Sequence, residues 1–212
     1  MRAEAIWILP AGFAFIDWYA VARDDRRTET WAKPLVLSSL VVAAVVLGAT
    51  ETPAGLWLLV ALVFGLLGDI ALLSDSLPRF RAGVWAFLVG HLAYLVCFAS
   101  LGLNMPAWSW TGLAVLVVAL LATRGVVPAT HRLGGRALSV PVAVYSVVIG
   151  AMLLCAWFTG VPLVAIGATV FVVSDATLSI DRFVRPLPHA RLILMVTYHV
   201  GQALIVAGVL TA

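Results

Sequence analysis

Long apolar runs, separated by short knots of Pro, Gly and charge, set the pattern of this chain. A helix needs about 20 mostly apolar residues to cross the hydrocarbon core of a bilayer. Eight runs approach that length: 4–22, 33–50, 55–74, 82–103, 108–124, 138–158, 161–180 and 190–211. The connections are short, as at Arg23-Asp24-Asp25-Arg26-Arg27 and His131-Arg132-Leu133-Gly134-Gly135-Arg136. The pattern predicts an all-α integral membrane protein, eight transmembrane helices packed as a single transmembrane domain over 1–212.

Composition narrows the function classes. The chain is 63% hydrophobic and 11% charged, with a mean hydropathy of +1.10, whereas soluble domains carry roughly 25% charged residues. A soluble enzyme, a disordered chain and a nucleic-acid binder are excluded, so no nucleic-acid partner is expected. Cys97 and Cys155 lie inside apolar runs and imply neither a disulfide framework nor a metal site. The net charge of +3 belongs to 13 Lys and Arg, and their placement speaks of orientation. Arg23, Arg26, Arg27 and Lys33 fall around the first loop, Arg79 and Arg81 around the third. Arg124, Arg132 and Arg136 surround the fifth, and Arg182, Arg185 and Arg191 the seventh, leaving Arg2 alone on the other side. Basic loops face the cytoplasm, so both termini are expected to be extracytoplasmic. Ala20-Val21-Ala22 resembles a signal-peptidase site. Against cleavage stand Asp17 within the run, the scarcity of basic charge before it and the opposite orientation cleavage would need, so the first helix is expected to be retained. One Lys against twelve Arg, with much Ala and Val, points to a GC-rich bacterium and its inner membrane.

The chain also looks duplicated. Asp69, Leu72 and Asp75 close the third span, and Asp175, Leu178 and Asp181 close the seventh, each pair 106 residues apart. Pro34, opening the second helix, and Pro141 are 107 apart, and His91 and His199 are 108 apart. Repeats of four helices, 1–106 and 107–212, would run parallel across the membrane.

Polar residues within spans are where chemistry is sought, because an Asp at the centre of an inserted helix costs roughly 2.5–3.5 kcal/mol. The candidates are Asp17, Asp69, His91, Asp175 and His199, joined by Tyr94, Tyr145, Tyr198, Gln202, Ser38 and Ser174. At about 1.5 Å per residue, the three Asp lie roughly 9 Å inside their cytoplasmic helix ends and the two His roughly 14 Å. A shared cavity opening inward would explain all five. His91 and Tyr94, and His199 and Gln202, are i,i+3 neighbours, while Tyr198 and Gln202 are i,i+4, so each set shares a face. Asp75 and Asp181 fall at the surface near Arg79 and Arg182, as solvated or salt-bridged groups. Asp69 and Asp175 fit either catalysis or hydrogen bonds that hold the bundle. His91 and His199 fit packing as well as chemistry, and the Tyr residues are commonly packing or interfacial. No His-x-x-x-His or Cys-x-x-Cys spacing occurs, so no metal is expected, and nothing calls for a cofactor.

Gly65-Leu-Leu-Gly68-Asp69-Ile-Ala-Leu72, Phe80-Arg-Ala-Gly83 and Phe87-Leu-Val-Gly-His91-Leu-Ala-Tyr94 resemble the first signature block of the YhhN-like family of transmembrane lysoplasmalogenases. Gly167-Ala-Thr-Val-Phe171-Val-Val-Ser174-Asp175-Ala-Thr-Leu178 with Arg182-Phe183 resembles its second block. Lys33-Pro34 and Tyr198-His-Val-Gly-Gln202-Ala-Leu204 fit as well, although His199 stands where the resemblance implies an aromatic. The resemblance covers nearly the whole chain. It implies hydrolysis of the vinyl ether of lysoplasmalogens to a fatty aldehyde and a glycerophospho-alcohol, with a lysophospholipid substrate amid membrane lipids.

A vinyl ether is opened by protonating its β-carbon, after which water adds to the oxocarbenium α-carbon. Two carboxyl groups divide such work, and the resemblance makes Asp69 and Asp175 the catalytic pair, without saying which is the acid. Lys33, expected at the cytoplasmic mouth, would meet the substrate phosphate. His91, Tyr94, Tyr145, Ser174, Tyr198, His199 and Gln202 complete the candidate substrate-binding set. A proton-coupled small-molecule transporter is the rival reading, since parallel repeats with buried acids suit a carrier too. A passive lipid-binding bundle is the third.

Overall fold

The computed structural model describes residues 3–74 and 76–212, so Arg2 and Asp75 lie outside the described residues. All regular elements among those described are helical. They are α1 (Ile8–Ala22), α2 (Arg26–Val46), α3 (Pro53–Leu72), α4 (Leu77–Leu101), α5 (Thr111–Thr123), α6 (Val126–Phe158), α7 (Pro162–Phe183) and α8 (Ala190–Leu210). Seven are long and apolar enough to cross a bilayer, α1 with its preceding 3-10 turn. The fifth is shorter, 13 residues, extended by a 3-10 turn over Ala107–Trp110. This is a multi-pass integral membrane protein: seven of the eight expected runs give helices of spanning length, and the run 108–124 gives the shorter α5.

Local chemistry sets the helix ends. Asp25 caps α2, accepting from the backbone N–H of Arg27 at 3.1 Å and of Thr28 at 3.2 Å. The Thr28 hydroxyl donates to the same carboxylate at 2.6 Å, and these hydrogen bonds hold the Asp25 carboxyl below its ordinary value. The helix therefore begins at 26 rather than 33, and Pro34 lies inside it instead of opening it. Thr52 caps α3 with Pro53 in the first turn, the arrangement that a missing N–H tolerates. Within α6 two helices meet at a kink at Gly134 and Gly135, where φ is −149° and 58°. The expected turn lies there, and the helix that follows it starts close to the expected 138. Glycine suits the positive φ there because it has no Cβ to clash.

The chain divides into two compact units, Met1–Gly102 with Val206–Ala212, and Leu103–Ile205. In the first, α3 and α4 meet through small residues. A Cβ on Gly68 would come within 2.6 Å of the Phe87 ring, and one on Gly90 within 3.2 Å of the Ala61 carbonyl. In the second, α7 and α8 approach backbone to backbone, since a Cβ on Gly167 would sit 2.8 Å from the Ile205 nitrogen. Small residues at such crossings are how helices gain contact in lipid, where burial of apolar surface supplies little drive. Outward faces are apolar instead: Phe15, Val118 and Val147 are exposed, as expected for side chains bathed in acyl chains.

Candidate active site

In the first unit Asp69 sits in the last turn of α3, 1% exposed. Because α2 starts early, Lys33 falls two turns inside it, 4% exposed, with Nζ 3.3 Å from Asp69 Oδ1. Lys33 is therefore a buried partner of Asp69 rather than a residue of the cytoplasmic mouth. Removing two charges from water is costly, and their attraction in a medium of low dielectric offsets that cost only while both remain. On α4, His91 is buried and its Nδ1 lies 2.6 Å from the Phe87 carbonyl oxygen. A carbonyl only accepts, so Nδ1 carries a proton and donates to it. Tyr94, three residues on, is buried and stacks on Phe98 with centroids 5.6 Å apart. Asp17 is fully buried on α1. The Ser38 hydroxyl turns back to the Pro34 carbonyl within α2, 2.9 Å away.

In the second unit Tyr145 of α6 donates its hydroxyl hydrogen bond to Asp175 Oδ2 on α7. Both line a cleft formed by α5, α6 and α7, with Thr123, Ser146 and Ser179 beside them. The cleft holds about 50 Å³, several times the ~10–15 Å³ that one water requires. Ser174 is next to Asp175 in sequence but donates to the Leu194 carbonyl at 3.0 Å, tying α7 to α8. Consecutive helical residues point about 100° apart, which separates these neighbours into a strut and a cleft residue. Tyr198 meets Phe171 edge-on at 5.5 Å and lies 5.4 Å from the His199 ring. His199 and Gln202 are buried along α8. Asp181 holds the turn after α7 by accepting the Leu187 N–H at 2.8 Å.

Of the expected residues, the structure joins Lys33 to Asp69 and Tyr145 to Asp175. Ser174 hydrogen-bonds across to α8, and Tyr94 and Tyr198 make ring contacts with Phe98 and Phe171. Thr123, Ser146 and Ser179 were not anticipated. Their signal was present, because each is a polar residue in an apolar run, on the same stretch of membrane as Asp175. Among the described residues, no three of His, Cys, Asp and Glu gather as a metal site would require.

The YhhN family model matches residues 28–209. The chain belongs to the YhhN family. Lysoplasmalogenase TMEM86B of Mus musculus is 31% identical over 212 residues, covering 99% of this chain and 87% of the mouse protein. Lysoplasmalogenase TMEM86A of Bos taurus is 31% identical over 166 residues, covering 72% of this chain and 65% of its own. A lysoplasmalogenase of Mycobacterium tuberculosis (strain CDC 1551 / Oshkosh) is 31% identical over 159 residues, 72% of this chain and 59% of that protein. The chain thus spans just under two thirds of the bovine and mycobacterial relatives. No solved structure matches it. The match begins at α2, so α1 with its buried Asp17 lies ahead of the family region.

Proposed function

We propose that this membrane protein is a lysoplasmalogenase-type hydrolase, opening the vinyl ether of a lysophospholipid to a fatty aldehyde and a glycerophospho-alcohol. The observation that carries the reading is the similarity to the mouse lysoplasmalogenase over 99% of the chain. The relatives' names do not favour the transporter. In the reaction a carboxylic acid gives its proton to the β-carbon, and the π electrons form the new C–H bond. Water then adds to the oxocarbenium α-carbon and loses a proton to a carboxylate, and the hemiacetal collapses as its C–O bond to glycerol breaks, its hydroxyl giving up a proton and the leaving glycerol oxygen taking one. One water is consumed per turnover.

Asp69 and Asp175 are the pair proposed for this work. Charge balance divides the roles. An ionised Asp69 is balanced by Lys33, suiting it to accept the proton of water. Asp175 meets a hydroxyl on Oδ2 and no cation among the residues lining its cleft, so as an uncharged acid it needs no counter-ion and can donate from Oδ1. The same reading takes the chain as two parallel repeats, 1–106 and 107–212, in a single transmembrane domain of a bacterial inner membrane, with both termini outside. The Asp spacing of 106 residues and the one-sided placement of Arg support it.

The test is aldehyde release by purified protein from a lysoplasmenyl lipid, set beside the ester-linked lysolipid. Aldehyde from the vinyl ether alone is expected. Its absence from folded protein, with pH-driven solute uptake into proteoliposomes, would overturn the reading in favour of a transporter.

A further inference from the structure

The cleft beside Asp175 is graded in polarity along its length. α5 and α7 run one way and α6 the other, so the last turn of α5, the middle of α6 and the last turns of α7 come to one end. There the polar lining is Thr123, Tyr145, Ser146, Asp175 and Ser179, with Val126 and Ala176 beside them. Towards the opposite end it becomes Leu116, Leu120, Ile149, Gly150, Leu153 and Val172. Tyr145, Ile149 and Leu153 follow at i, i+4 and i+8, one stripe about 12 Å long. One turn farther on the same helix faces stand Gly112 and Trp157, and there the space ends. A Cβ on Gly112 would come within 2.6 Å of the Trp157 ring. The indole is fixed by its N–H bond to the Thr169 hydroxyl, at 3.0 Å. Along one flank the cleft is open beside Leu120, which is 52% exposed and stands with Val117 and Leu121 on the outward apolar face of α5.

We infer that this cleft is the subsite for the alkenyl chain of the substrate, entered sideways from the bilayer, with Trp157 as its closed end. The inference rests on the hydrolase reading above. In a single-chain vinyl ether lipid, the reacting carbons are the first two of the chain, between a polar glycerol and an apolar tail. A site for it needs a proton donor where polar lining changes to apolar, and Asp175 stands at that change. An apolar run beyond the acid takes the chain, each buried methylene adding to binding. The short α5 makes the lateral opening possible, because it covers less of the α6–α7 face than a full span would.

Two variants narrow the apolar end without touching Asp175 or Tyr145. A Cβ on Gly150 already comes within 3.1 Å of Leu116 Cδ1, so Gly150→Leu fills the gap, and half-buried Leu116 can be changed to Trp. Each is expected to lower kcat/KM for a long-chain lysoplasmenyl lipid about tenfold or more relative to a short-chain one, the worth of two displaced methylenes. A misfolded variant would lose both substrates in equal proportion, so an unchanged ratio in both variants overturns the subsite. An independent reading uses unaltered protein and a saturated alkyl-ether lysolipid carrying a diazirine near the chain end. Photolabel is expected on α5 and α6. Normal hydrolysis with label only outside residues 111–183 overturns the subsite alone. Label on α5 and α6 without hydrolysis of any vinyl ether overturns the hydrolase reading while the chain site stands.

Discussion

Asp69 and Asp175 occupy matching places, 106 residues apart and near the ends of α3 and α7, yet their partners differ in kind. Asp69 is held by an ammonium group 3.3 Å away, with both side chains almost fully buried. Asp175 is held by a phenol and borders a cleft with room for water. Two similar sequence blocks thus carry two electrostatic settings, because the residues that define each setting come from other helices. Lys33 lies 36 residues before its Asp and Tyr145 only 30 before its own, so the partners are not themselves repeat mates. The difference teaches that the setting of a carboxyl group is decided by its neighbours, and it is on this that the proposed division of acid and base work rests.

The largest expected effect comes from erasing the acids themselves. Asp69→Asn and Asp175→Asn should each lower kcat for aldehyde release by about 10²–10⁴-fold, the usual worth of a general acid or base. Asp175→Asn should elute from detergent as the parent does, whereas Asp69→Asn leaves the Lys33 charge buried without its partner and should also lose stability. Retained turnover in either would remove that residue from the pair and end the symmetry of the comparison.

Lys33→Met separates the two sites next. It leaves the Asp69 charge buried without its cation and should destabilise the fold by about 3–5 kcal/mol, measured by unfolding in detergent. The double variant Lys33→Met with Asp69→Asn should recover most of that stability but not the activity. A double variant no more stable than the single one would show that Lys33 does not serve the charge of Asp69.

Tyr145→Phe is the counterpart in the second unit. Only one hydroxyl is lost, so stability should change by about 1 kcal/mol or less, while kcat falls about 2–10-fold, the worth of one hydrogen bond between uncharged groups. Equal losses in stability for Lys33→Met and Tyr145→Phe would erase the distinction between a charged and an uncharged site.

The smallest effects on turnover concern the two helix crossings. Gly167→Ala puts a methyl against the backbone of α8, which cannot yield, and should cost towards the upper end of about 1–3 kcal/mol. Gly68→Ala meets the ring of Phe87, which is only half-buried, and should cost less by the same unfolding measurement. The reverse order would mean that α3 and α4 are the more rigid pair.

Much of this architecture was legible in hydrophobicity, and its gaps have physical causes. Every expected apolar run contains a helix, because lipid demands that backbone groups be satisfied within the segment. The run beginning at 33 missed the start of α2, since Asp25 caps a charged turn that hydropathy does not register. The same blindness placed Lys33 at a mouth rather than against Asp69. On α6 the Gly134-Gly135 signal marks the kink at which one helix gives way to the next. The run 108–124 is apolar enough for a span, yet only Thr111–Thr123 forms α-helix, because Pro106 and the Trp-rich turn after it take a tighter course. At the site, the cost of burying an acid singled out Asp69 and Asp175. Their partners could not be read, because which faces of two helices meet depends on rotations that spacing within one helix does not encode. Ser174 shows the limit, lying beside Asp175 in sequence and bonded to a different helix.

The central claim is that a carboxylic acid puts a proton on the β-carbon before water adds. It is tested most directly by running the hydrolysis of a lysoplasmenyl lipid in D₂O and trapping the aldehyde as it forms. Unlabelled aldehyde carried through the same medium serves as the control for exchange. The account predicts a single deuterium on the carbon next to the carbonyl, in product from the unaltered protein. Aldehyde released without that deuterium would contradict it.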